Sequence, residues 1–273
     1  MKHIDYNHEI KKINSTKKLR ELFLGFMSLA KETLTEYNHH KNPDYYQIVY
    51  QNLFQRLYIG ISAIETLFDK FNRNRYFKYP IAIQMRTCIL DSITIAYLAL
   101  FIDKKNQNKF KEQVIKLNHP VARELNDEIE EMIKKDKSEY KKHLERAEFH
   151  FPDNFTNGQR IKLKKIQELK PRGMAKALKG TPLEWYGEIY KLYQHYSKYE
   201  HFGTVSKTLI EFDAEFEFDN LTFSTFYVLQ AAYMTMKFME VDTVKIEKMR
   251  KLRDKIREVE PTFDKRAHTA NKG

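Results

Sequence analysis

The chain has 273 residues, 42% of them apolar, with only 8 glycines and 7 prolines. So few chain breakers, over a length able to bury a real core, argue for long helices and exclude a sandwich, a barrel or a Gly-rich nucleotide fold. The net charge of +11 attracts polyanions, and the single cysteine, Cys88, excludes an internal disulfide framework and a multi-cysteine zinc site.

Residues 1–15 are polar, carry Asp5 and Glu9, and contain no apolar core for a signal peptide. Residues 16–37 then read as a first helix, with Leu19, Leu22, Phe23, Phe26, Leu29 and Ala30 on one face. Asn42 and Pro43 offer a cap and a first helical proline. The amphipathic pattern beyond them runs to about Phe71 through Leu53, Leu57, Ile61, Ile64 and Phe68. A polar turn at 72–78 precedes the most apolar helix, at about 80–102. Its longest apolar run, 88–102, includes Asp91 and falls short of the roughly twenty residues of a bilayer span. It reads as a buried core helix, and the expected location is the cytoplasm, with no membrane partner.

Residues 107–149 are rich in mixed charge and interrupted at His119–Pro120, which predicts two exposed helices. Residues 151–158 read as a loop. The basic stretch 159–179 follows, with Arg160, Lys162, Lys164, Lys165, Lys170, Arg172, Lys176 and Lys179 against one acid, Glu168. Thr181-Pro182-Leu183-Glu184 is a strong helix start, predicting a helix to about Glu200. In 211–219 apolar and acidic residues alternate strictly, the period of a strand. It would pair with 204–210 as a hairpin or with another subunit. Its acids read as a solvated face more readily than as a metal site. A last helix is predicted over about 220–258.

The expected architecture is mainly α: a helical bundle around the buried central helix at about 80–102, with one short β hairpin or strand near 204–219. A single helical domain spans 1–260, and 261–273 is a flexible tail.

Two anomalies mark a candidate site. At about 100° per residue, Gln84, Thr87, Asp91 and Thr94 form a polar stripe on the central helix, while Arg86 points away from it among apolar neighbours. Glu200 likewise falls amid the apolar face of Trp185, Ile189, Leu192, Tyr193 and Tyr196, with Ser197 and His201 beside it. Buried charges must be paired, so Arg86 and Glu200 are candidates for one ion pair. Either that pair organises the bundle, or Arg86 and His201 line a cleft that handles a phosphate.

The segment 57–100, with Met85-Arg86-Thr87-Cys88-Ile89-Leu90-Asp91, resembles a family of bacterial helical proteins known as a domain of unknown function. In that family an arginine is followed one turn later by an acid in the core helix, and a Tyr-x-x-x-Ser-x-x-x-His stretch lies downstream. Tyr193, Ser197 and His201 match that spacing. The resemblance covers about 50–239 and extends to the HEPN class of helical bundles in toxin–antitoxin and phage-defence systems. HEPN ribonucleases carry an arginine followed by four to six residues and then a histidine on one helix. Here the nearest such pair, Arg146 and His150, has three residues between, so only a split Arg86/His201 arrangement would serve.

Two functions follow as expectations. The first is a metal-independent ribonuclease of bacterial defence. His201 would be its general acid/base and Arg86 its charge stabiliser, with Glu200, Ser197, Asp91 and Tyr193 in support. Lys162, Lys164, Lys165 and Arg172 would hold the RNA backbone. The second is a non-catalytic helical module that binds nucleic acid or a partner protein, or forms a homodimer. Neither needs a metal or a cofactor.

Overall fold

A computed structural model describes residues 6–38, 42–71, 77–135, 140–156, 162–200 and 214–259, and these are mainly α-helical. Where the sequence predicts one domain over 1–260, packing gathers the chain into two compact units. Met1–Ala99 with Met174–Gly273 form the first, and Leu100–Gly173 the second.

The first unit is a helical bundle. Helix α1 (Tyr6–Tyr37) buries Leu19, Leu22, Phe23, Phe26, Leu29 and Ala30, one stripe at three- and four-residue spacing. Helix α2 (Tyr45–Phe71) meets this stripe through two edge-to-face ring pairs, Phe23–Phe68 at 5.5 Å and Phe26–Phe54 at 6.1 Å. The other side of α2 packs on α3 (Lys78–Ala99). A Cβ at Gly60 would lie 2.4 Å from Cys88 Sγ, so the missing side chain is what lets the two backbones approach. Helix α3 is long and apolar enough to cross a membrane, but 72% of its apolar window is buried inside the protein.

The basic stretch leads into α6 (Pro171–Ala177), which carries the chain from the second unit back to the first. At the predicted helix start, Thr181 Oγ1 accepts from Leu183 N at 3.2 Å and Glu184 Oε2 accepts from Gly180 N at 3.3 Å. Side-chain oxygens thus satisfy backbone donors that the first turn leaves open. The predicted single helix then forms as two, α7 (Trp185–Glu188) and α8 (Tyr190–Ser197), with a 3₁₀ turn at Lys198–Glu200.

The described part of the predicted strand 211–219 is helical: residues 214–219 open α9 (Ala214–Phe238). The rest of the expected hairpin, 204–213, lies outside the described residues. Alternation is a local signal, and packing against α2 and α3 overrides it. Phe218, Leu221, Thr222 and Thr225 recur at helical spacing and are all buried. The hydroxyls on this face turn back on the helix itself, Thr222 to Phe218 O, Ser224 to Asn220 O and Thr225 to Leu221 O at 2.7–2.9 Å. A polar face is thereby buried with its donors satisfied.

The predicted last helix is broken after Phe238. Glu240 adopts a left-handed φ of 57°, and Val241 N donates to Met236 O at 3.1 Å, the closure of a Schellman turn. Asp242 then caps α10 (Thr243–Asp254) by accepting from Val244 N at 2.8 Å, and α11 (Ile256–Val259) follows.

In the second unit α4 (Asn108–Lys135) passes through Pro120, where the sequence predicts a break. A mid-helix proline costs about 3 kcal/mol. Against that, α4 buries Val114, His119, Ala122 and Ile129 along its length. Helix α5 (Tyr140–His150) packs on α4. A two-residue antiparallel pair follows, β1 (Phe155–Thr156) with β2 (Lys162–Leu163), Phe155 facing Leu163 and Thr156 facing Lys162. Ala122, Ile129, Ala147 and Phe155 form the core of this unit.

Candidate functional site

Arg86 extends from α3 to α8, which packs against it. Tyr193 and Ser197 are one helical turn apart and therefore share a face of α8. Arg86 Nη2 donates to Tyr193 Oη at 3.0 Å, and Arg86 Nε donates to Ser197 Oγ at 3.0 Å. Ser197 Oγ passes its own proton to Tyr193 O at 2.7 Å, which leaves its lone pairs aimed at the guanidinium. Arg86 Cζ also lies over the Tyr193 ring, 5.0 Å from its centroid, a cation–π contact. Tyr190 stacks on Tyr193 at 5.8 Å with the planes 18° apart. All four side chains are half-buried.

Around the first of the two anomalous positions, Arg86, the structure gathers part of the expected set. Arg86, Tyr193 and Ser197 come together. The backbone of Glu200 ends the 3₁₀ turn, but its side chain and the whole of His201 lie outside the described residues, and with them the expected Arg86–Glu200 pair and the Arg86/His201 cleft.

Asp91 belongs elsewhere. It is 3% exposed and binds Arg56 of α2 two-fold, Nε to Oδ2 at 3.1 Å and Nη2 to Oδ1 at 2.9 Å. Burial pushes its carboxyl up from 3.8 to about 6, with Arg56 acting in the opposite direction. The Cys88 thiol is buried in the same place and pushed well up, first by desolvation and then by Asp91. A thiol held protonated in this way is a poor nucleophile. The polar stripe that includes Asp91 therefore runs inward: Thr87 is exposed, Thr94 is 9% exposed, and Thr94 Oγ1 donates to Leu90 O at 2.9 Å.

Sequence reasoning missed Arg56, although a signal existed. It is the only basic residue in 45–69, on the helix that neighbours an apolar run containing an acid. His195 lies on the side of α8 opposite the predicted apolar face, a position that reads as solvated. It is instead partly buried between the edges of Tyr196 at 5.3 Å and Tyr199 at 5.9 Å, with Asn220 Nδ2 3.5 Å from its Nε2. Tyr196 itself is buried, with its Oη 3.3 Å from Ser224 Oγ.

The expected nucleic-acid residues fall in the second unit. Lys162 lies in β2, and Lys164 Nζ donates to Asp153 O at 2.7 Å. Lys165 and Arg172 are exposed. Arg123, by contrast, is engaged with Glu168, the single acid of the basic stretch. Among the described residues, no group of three or more His, Cys, Asp or Glu side chains gathers as a metal site. No protein-family model, curated protein or solved structure matches the chain.

Proposed function

We propose that this chain is a HEPN-like helical protein that binds RNA, with Arg86 holding a backbone phosphate. The bundle is organised on this reading around α3, which supplies that arginine. The observation that carries the proposal is the way Arg86 is held. Two hydroxyls, of Tyr193 and Ser197, orient the guanidinium fork through Nη2 and Nε. A planar, oriented fork in a half-buried setting suits two-fold recognition of a phosphate. The stacked Tyr190–Tyr193 pair beside it presents a flat apolar surface of the kind bases favour.

Fluorescence anisotropy with labelled single-stranded RNA at low salt tests this. Arg86→Ala is expected to weaken binding roughly ten-fold, as for the loss of a charged hydrogen bond. Arg86→Lys should restore only part, because an ammonium lacks the fork. An Arg86→Ala protein of native melting temperature and unchanged affinity would sink the proposal. Cleavage of the same RNA in EDTA, lost in both Arg86→Ala and His201→Ala, would extend it from binding to metal-independent ribonuclease action. Intact RNA would leave a binding module.

A further inference from the structure

In the second unit α5 ends on a largely exposed ring. Phe149 is 81% exposed, more than any other exposed large hydrophobic among the described residues. Its neighbours in sequence behave differently: Phe151 packs against the core of the unit and Phe155 is 2% exposed. Local apolar packing therefore had two phenylalanines available and left the third in water.

Its surroundings are charged. Lys142, Arg146 and Phe149 stand at i, i+4 and i+7, so they share one face of α5, and all three are exposed. The exposed His150 sets its ring edge-on to Phe149 at 5.2 Å, with the planes 83° apart. The turn that follows α5 fastens the basic segment nearby. Asp153 O accepts from Lys164 Nζ at 2.7 Å, and the Asp153 carboxylate pairs with Lys111 Nζ at 3.0 Å. Lys165, Lys170 and Arg172 extend this segment and are exposed.

We infer that Phe149 is a stacking platform for an unpaired base of a single-stranded nucleic acid, with Lys142 and Arg146 taking the adjoining phosphates. This extends to a new surface the reading that the chain binds nucleic acid, and rests on it. One ring is the area a single base covers, and stacking on it is tolerant of sequence. A stable protein interface instead needs roughly 800 Å² per partner and is depleted of charge at its centre. The solvent-facing residues around Phe149, namely Lys141, Lys142, Glu145, Arg146, Glu148 and His150, are charged or titratable. A duplex keeps its bases stacked on one another and offers no free face inside the helix.

The test compares wild type, Phe149→Ala, Phe149→Trp and Arg86→Ala for binding to a fluorescein-labelled oligoadenylate and to its duplex with oligouridylate. Because Phe149 is exposed, its variants should keep the wild-type melting temperature. Phe149→Ala is expected to weaken single-strand binding roughly five-fold or more, and to leave duplex binding unchanged. The slope of log affinity against log salt should also stay the same, since the lost ring carries no charge. Phe149→Trp should bind at least as well as wild type. Unchanged single-strand affinity in Phe149→Ala, alongside weakening in Arg86→Ala, would overturn this inference and leave the Arg86 reading standing. No binding by wild type would overturn both. A concentration-dependent dimer in sedimentation that Phe149→Ala dissociates would overturn it in favour of a second copy of the chain.

Discussion

Two arginines border α3, and they are held in different ways. Arg56 reaches from α2 to a carboxylate that is 3% exposed and binds both of its oxygens. Arg86 reaches from α3 to α8 and is oriented by a phenol and a serine hydroxyl. In the first case the buried acid sets the terms. Asp91 is expensive to desolvate, so a cation must come to it. In the second case two hydroxyls set the direction of the guanidinium. The comparison teaches that a charge on an apolar helix face is not by itself a sign of function. The Asp91 carboxylate opposes the charge of Arg56, whereas the Tyr193 and Ser197 hydroxyls orient the fork of Arg86.

The largest expected effect breaks the ionic side of the comparison. Arg56→Ala strands a buried carboxylate, and urea denaturation should show a loss of about 3 kcal/mol. That is the low end for a broken buried pair, because the Arg56 side chain is 58% exposed and the orphaned acid can take up a proton. The double variant Arg56→Met/Asp91→Leu should recover most of the loss. A single variant as stable as wild type would show that the pair adds nothing.

Next in size is the pH dependence of the same acid. The folded pKa of Asp91, about 6, is raised above its ordinary 3.8, so the native state holds this proton more tightly than the unfolded chain does. The stability it contributes is full below 3.8 and is lost as pH rises through about 6. The difference in stability between wild type and Asp91→Asn should change by about 2 kcal/mol across that window, wild type gaining towards acid. A pH-independent difference would mean that Asp91 titrates normally.

The smallest effects belong to the hydroxyl side. Tyr193→Phe and Ser197→Ala each remove one half-buried hydrogen bond and should cost about 1 kcal/mol or less in thermal unfolding. Each should nonetheless lower RNA affinity, because the fork is no longer aimed. Variants that lose more stability than binding would sharpen the comparison the other way, making Arg86 a structural strut between α3 and α8.

Much of the first unit was legible in the chain itself. The α1 face from Leu19 to Ala30, the capped start at Thr181 and the one-turn spacing of Tyr193 and Ser197 depend on residues a few positions apart. Backbone geometry converts such spacing directly into a shared face. The oddity of Arg86 among apolar neighbours was visible for the same reason. Partnership was not. Asp91 was grouped with a polar stripe and with the candidate site, and Arg56 was overlooked, because which side chains meet between two helices depends on how closely and at what rotation the helices pack. Here Gly60 sets that approach against Cys88. Packing likewise decided residues 214–219, where a strand's alternation lost to the burial of Phe218, Leu221, Thr222 and Thr225. It also carried α4 through Pro120, since one missing hydrogen bond weighs less than a buried helix face. Periodicity is written within a few residues, whereas the partner of a charge is decided only when distant elements come together.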